Sequence, residues 1–153
     1  MTIRKATLDD IKGITKLLYH LFTQEIEFVF DKKLHKKALG KIINNKNIGE
    51  IFVVEKKGKI IGCVNILYTM STALGGKVAI LEDMIISPKY QGKSLGTKLL
   101  KYVIKYLQNN QIQRITLLTD NDNYKAHKFY ENLNFKASKM VVFRQLLMDT
   151  PSN

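Results

Sequence analysis

Apolar residues recur along this chain at two different periods, and the alternation between those periods predicts most of its elements. Ile11, Ile14, Leu18 and Leu21 fall three and four apart after Asp9 and Asp10, either of which can cap a helix start. A second, less regular helix is expected over residues 34–44, fraying into Asn44-Asn45-Lys46-Asn47, with Gly49 closing the connection. The clearest amphipathic helix carries Leu95, Leu99, Val103 and Leu107 on one face and Lys98, Lys101 and Lys105 toward the other. Ala126, Phe129, Tyr130 and Leu133 space a fourth helix over residues 123–133.

The remaining segments read as strands. Residues 2–6 form a short one, and Ile51-Phe52-Val53-Val54 begins a β-rich run that turns at Lys57-Gly58 and returns over residues 59–69. Leu74-Gly75-Gly76-Lys77 supplies a second turn, and residues 78–86 complete a three-strand meander that Pro88 stops. Residues 114–119 and 140–147 add two further strands, the last finishing the sheet and available to pair across a homodimer. The order β-α-α-β-β-β-α-β-α-β defines an α/β (α+β) class: a mixed, mainly antiparallel central sheet flanked by helices.

Composition narrows the picture without changing it. The 153 residues are 45% hydrophobic and 25% charged, which suits one compact domain, expected over residues 1–148 with a short C-terminal tail at 149–153. Apolar runs are too short to cross a bilayer and the first residues lack a signal-peptide core, so a cytoplasmic protein with no membrane partner is expected. Cys63 is the sole cysteine and His20, His35 and His127 have no ligand spacing, so no metal is expected and Cys63 reads as a small buried residue. The net charge of +12 attracts polyanions, yet the lysines are scattered. Lys32, Lys33, Lys36 and Lys37 read as the solvated face of the second helix, and no zinc-finger or aromatic-plus-basic signature points to a nucleic-acid partner.

Chemistry concentrates after the third strand of the meander. A short loop containing Gly92, Lys93 and Ser94 runs through Leu95 and Gly96 into the longest helix. Unpaired amides at a helix start, together with the positive end of its dipole, form an anion site that small residues leave open, and Lys93 adds charge. The spacing matches neither the Walker nor the complete Rossmann fingerprint.

The segment Ile86-Ser87-Pro88-Lys89-Tyr90-Gln91-Gly92-Lys93-Ser94-Leu95-Gly96 resembles motif A of the GNAT superfamily of N-acetyltransferases, and the resemblance extends along nearly the whole chain. Arg4-Lys5-Ala6-Thr7 with Asp9-Asp10 is similar to the family's opening, and residues 123–135 are similar to its late Asn-x-x-Ala-x-x-Phe-Tyr-x-x-x-Gly-Phe motif. Ser94 stands where the family's first glycine is expected, and Asn134 stands for the late glycine, where Asn tolerates left-handed backbone. The resemblance implies acetyl-CoA as co-substrate, with backbone groups of Met84 and Ile86 on the thioester and pantetheine arm. It also implies a pyrophosphate cradle formed by Gln91, Gly92, Lys93, Ser94, Leu95, Gly96 and Thr97, and an arm contact from Asn123.

The same resemblance implies direct attack by a primary amine, on a small molecule or a protein, with Tyr130 protonating the departing thiolate. The amine must lose a proton, and a carboxylate beside the acyl group can take it, directly or through water. On an unbulged strand Glu82 shares a face with Met84 and Ile86, which makes it the first choice; a β-bulge would exchange its role with Asp83. A non-catalytic acyl-CoA-binding sensor on the same fold is the alternative reading. The acceptor pocket is expected around residues 21–34 and 68–77.

Overall fold

The computed structural model describes residues 1–23 and 30–148. Five strands form one sheet in sequential order: β1 (Thr2–Lys5), β2 (Gly49–Lys56), β3 (Lys59–Ser71), β4 (Gly76–Ile86) and β5 (Ile115–Leu117). The first four are antiparallel neighbours, and β5 joins β4 in parallel over three residue pairs, Ala79 with Ile115 to Leu81 with Leu117. The helices are α1 (Ile11–Phe22), α2 (Lys32–Ile43), α3 (Leu95–Asn109) and α4 (Tyr124–Glu131).

Both faces of the sheet are covered, which explains why β2 reads as an unbroken apolar run. Phe52 and Val54 join Val64, Ile66, Leu81 and the α3 residues Leu99, Leu100 and Val103 in one core. Ile51, Val53, Cys63 and Ile85 point the other way, against Ile14, Leu17 and Leu18 of α1 and Leu39 of α2. The period-2 alternation of a strand sends successive side chains to opposite faces, so a strand between two helical layers needs apolar residues at every position. Each fully buried Leu contributes roughly 1.5–3 kcal/mol.

Local chemistry fixes the element ends. Asp31 accepts hydrogen bonds from the Lys33 and Leu34 amides, starting α2 two residues before its apolar pattern becomes visible. Lys57 and Gly58 both take positive φ, the geometry of a tight hairpin turn. Asp10 lies at the entry to α1, where its carboxylate accepts from the Thr7 amide at 2.8 Å and pairs with Arg4 at 2.7 Å. That partnership with Arg4 holds the Asp10 carboxyl below its ordinary pKa. Lys32, Lys33, Lys36 and Lys37 are exposed, as the solvated face of α2 requires, and so is Lys41 in its last turn.

One expectation fails. Residues 140–147 form no strand and pair with no part of the sheet, so the sheet ends at β5. The pattern there is apolar and β-like, but strand formation needs a partner edge, and this segment lies exposed, with Phe143 at 93% and Met140 at 88%. The expected tail at 149–153 lies outside the described residues. Among the described residues no helix is long and apolar enough to cross a membrane.

Candidate active site

Strand β4 is the axis of the site. It runs five residues beyond its last pairing with β5, because β5 ends at Leu117 while β4 continues from Leu81 to Ile86. The two strands part there, leaving the outer edge of β4 without a strand partner. Backbone groups along such an edge remain open to a ligand.

The register across β3 and β4 slips at the same place: Ile66 faces Leu81, whereas the next pair is Asn65 with Asp83, so Glu82 is an extra residue. This is a β-bulge, and its effect on side-chain direction is visible on both sides of it. Leu81 and Met84 belong to the same core although they are three residues apart. Asp83 therefore turns toward the α1 and α2 layer, where Cys63 and Ile85 lie, and Glu82 projects to solvent at the bulge. The bulged alternative is the geometry that the strand adopts.

A cleft of about 600 Å³ opens where β4 and β5 separate. Its walls include Glu82, Asp83 and Met84 from β4, Asn123, Ala126 and Tyr130 from the start and body of α4, and Leu21 from α1. Four of the expected residues thus meet Met84 in one cavity. Burial pushes the Asp83 carboxyl up to about 6, helped by the neighbouring Glu82 charge and opposed by a hydrogen bond from Asn65. Burial also raises the Tyr130 phenol above its ordinary value, so it stays protonated at neutral pH. Its ring packs between Phe129, at 5.1 Å, and Phe135, at 5.6 Å.

Residues 91–97 lie outside this cleft's walls and form a separate feature at the far end of β4. Gly92 and Ser94 both take positive φ, 73° and 59°, and α3 begins directly afterwards. No side chain caps α3, so its leading amides at Leu95, Gly96 and Thr97 keep their donors free of a side-chain acceptor. A Cβ on Gly92 would meet nothing within 4 Å, leaving backbone conformation as the reason for glycine there. Gly96 plays a packing role, since its Cβ position faces Phe129 and Met84 at 3.4–3.5 Å. Gln91 Nε2 donates to the Ile86 carbonyl at 2.9 Å, tying the turn to the end of β4.

Asn123 caps α4 through its carbonyl oxygen, which accepts from Ala126 N at 3.1 Å. Asn134 takes φ 67°, the left-handed turn geometry that its sequence position suggested.

Some residues at the site had no signal in the sequence. Lys56, from the end of β2, stands 5.1 Å from the Tyr90 ring centre, and Lys93 stands 5.6 Å from the same ring, so two ammonium groups flank the approach to the turn. Residues 118–121, Val142 and Arg144 line the cleft through chain segments outside regular elements. The expected acceptor contribution from residues 24–29 lies outside the described residues, and none of residues 68–77 lines the cleft. Among the described residues no group of three His, Cys, Asp or Glu side chains could hold a metal ion.

A mixed sheet whose parallel β4–β5 pair splays beside a cleft, with an uncapped helix start at the strand end, presents an open strand edge and free amides to a ligand. A sequence profile of the Acetyltransferase (GNAT) family matches residues 15–135, and the chain belongs to that family. It is therefore an acetyltransferase of a family that uses acetyl-CoA as co-substrate.

The chain is 27% identical over 138 residues to the uncharacterised N-acetyltransferase YhfO of Bacillus subtilis, a match covering 89% of this chain and 90% of that protein. It is 25% identical over 141 residues to the uncharacterised N-acetyltransferase MJ1207 of Methanocaldococcus jannaschii, covering 92% of this chain and 62% of that longer relative. In three dimensions it superposes on a possible acetyltransferase from Clostridium difficile 630 with a TM-score of 0.87 at 19% identity, covering 97% of this chain and 98% of that one.

Proposed function

We propose that this chain transfers the acetyl group of acetyl-CoA to a primary amine by direct attack within a ternary complex. The observation that carries this reading is the meeting of Asp83 and Tyr130 in one cleft beside the unpaired edge of β4. The residues present fit the co-substrate: the free amides at the start of α3, with Lys93 and Lys56 nearby, suit a diphosphate, and the β4 edge suits an extended amide-bearing arm.

Acetyl-CoA supplies the acyl thioester. Asp83, with a carboxyl near 6, takes the proton that the attacking amine gives up, directly or through one water. Backbone N–H groups of β4 at Met84 and Ile86 orient the thioester and the arm. Tyr130 gives its phenolic proton to the departing sulfur, a task suited to a group that burial keeps protonated. Glu82, exposed on the bulge, adds negative charge at the mouth.

The lining supports one class of acceptor. The protein carries 25 basic and 13 acidic residues, yet among the described residues the cleft is lined by Glu82, Asp83 and Asp120 against Arg144 as the one basic side chain. Local acidity on a basic protein favours an amine that arrives as an ammonium ion. Calorimetric titration with acetyl-CoA, followed by thiol release over a panel of small diamines, amino acids and lysine peptides, tests the reading. Binding with turnover of cationic amines is expected; binding with no turnover of any amine would point to a sensor.

The enzyme works as a homodimer in this reading, with residues 140–147 of each copy seated on the other. Three features support it. Met140, Val141, Val142, Phe143, Leu146 and Leu147 are all exposed, β5 has no strand on its outer side among the described residues, and a groove that includes Ile115 of β5 combines apolar Ile104, Leu107, Ile112, Leu133 and Phe135 with a polar rim. A segment that needs cover and an edge that needs a strand, on one molecule, close as a two-fold pair.

A further inference from the structure

Asn65 is a polar residue in the middle of a buried strand, and stability alone does not account for it. It sits on β3 directly opposite Asp83, at the step where the register slips, and is 7% exposed. Its Nδ2 donates to Asp83 Oδ2 at 3.3 Å, while its Oδ1 is buried with no hydrogen-bond partner among the described residues. A buried carbonyl left unpaired costs about 1–3 kcal/mol, so the amide is retained against a stability penalty that an apolar residue of similar size would remove. Among the described residues the one side chain it serves is Asp83.

We propose that Asn65 is the positioning residue of the reaction, fixing the rotamer of Asp83 toward the cleft and stabilising its negative charge through the Nδ2–Oδ2 hydrogen bond. This rests on the reading of Asp83 as base. Among the described residues the remaining surroundings of Asp83 do not provide that stabilisation. Cys63, its other neighbour on β3, is a buried thiol, Glu82 beside it on β4 is a like charge, and Leu21 of α1 is apolar. Tyr130 of α4 and Arg144 line the same cleft, and the causes that shift the Asp83 carboxyl are burial, Asn65 and Glu82. With burial raising the carboxyl and Glu82 raising it further, the Asn65 amide is the group that lowers it.

The experiment compares the wild type with Asn65→Leu, and uses Asn65→Ser where the first fails to fold. Asp83 is followed by carboxyl-carbon NMR titration, its resonance assigned by its loss in Asp83→Asn, and kcat/KM is recorded from pH 5 to 9. Asn65→Leu is expected to unfold at the same temperature as the wild type or higher. Its Asp83 midpoint and the acid limb of kcat/KM should both move up by about one pH unit. Activity then falls several-fold at pH 6.5 and recovers by pH 8.5.

In the wild type the Asn65 side-chain amide protons should shift with the same midpoint as the Asp83 carboxyl. An Asp83 midpoint unmoved in the variant, or an Asn65 amide indifferent to that titration, overturns the proposal. Full activity in Asp83→Asn would instead remove Asp83 as base, while the two NMR readings still judge the Asn65–Asp83 pairing by itself.

Discussion

At the scale of single residues, the choice between two adjacent carboxylates turns on one extra residue in a strand. Glu82 and Asp83 were both legible as candidates in the sequence, and parity alone favoured Glu82. A bulge leaves no mark in a single sequence, because it is decided by how β3 and β4 register over their whole length. Tyr130 was legible through its motif, and its environment defines the next test. Tyr130→Phe keeps the ring packing and removes the proton, so kcat should drop by roughly 100-fold with thermal stability nearly unchanged. Equal kcat in the variant would show that solvent protonates the thiolate. Cys63 is buried at 2% exposure and its thiol is pushed well up by burial. A thiol reagent should label the native protein negligibly and label it fully in denaturant.

At the scale of elements, the helices and the meander were legible because each shows its own period. Start and stop residues were less so. Asp31 caps α2 ahead of its apolar pattern, and β4 begins at Gly76 in what reads as turn sequence. The expected last strand fails for a physical reason: residues 140–147 have the composition of a strand but, in the single chain, pair with no edge of the sheet.

The turn into α3 makes a sharp prediction. Gly92 has φ 73° and open space around its Cβ position, so Gly92→Ala carries backbone strain alone, about 1 kcal/mol, and tilts the amides that follow. Acetyl-CoA affinity should weaken about five- to tenfold with a small drop in melting temperature. A variant that loses stability but binds acetyl-CoA as before would separate this turn from the co-substrate. Gly62 offers the contrast: a Cβ there would lie 2.6 Å from Ile86 Cδ1 and 3.2 Å from Val54 Cγ2. Gly62→Ala should destabilise the fold by about 1–3 kcal/mol through overpacking.

At the scale of the whole molecule, net charge and local charge point in different directions. A charge of +12 draws anions to the surface in general, while Glu82, Asp83 and Asp120 make the cleft itself acidic. The composition was legible, but the acidic cleft was not, because Asp120 reaches it from beyond the end of β5. The exposed C-terminal segment belongs to this scale too. Sedimentation should give a dimer for the wild type and a monomer for Phe143→Asp, since a buried charge at the centre of an apolar contact is heavily penalised. A wild-type monomer at every concentration would remove the second copy as the cover for that segment.

The account rests on Asp83 working as the base beside a bound acetyl thioester. The pH dependence of kcat/KM, measured for the wild type and for Asp83→Asn with one cationic amine, tests it most directly. A buried carboxyl near 6 must be ionised to accept a proton, so the wild-type rate should fall as pH drops through about 6, and Asp83→Asn should lose at least 100-fold with that limb abolished. A limb near pH 6 that survives unchanged in Asp83→Asn would contradict the account.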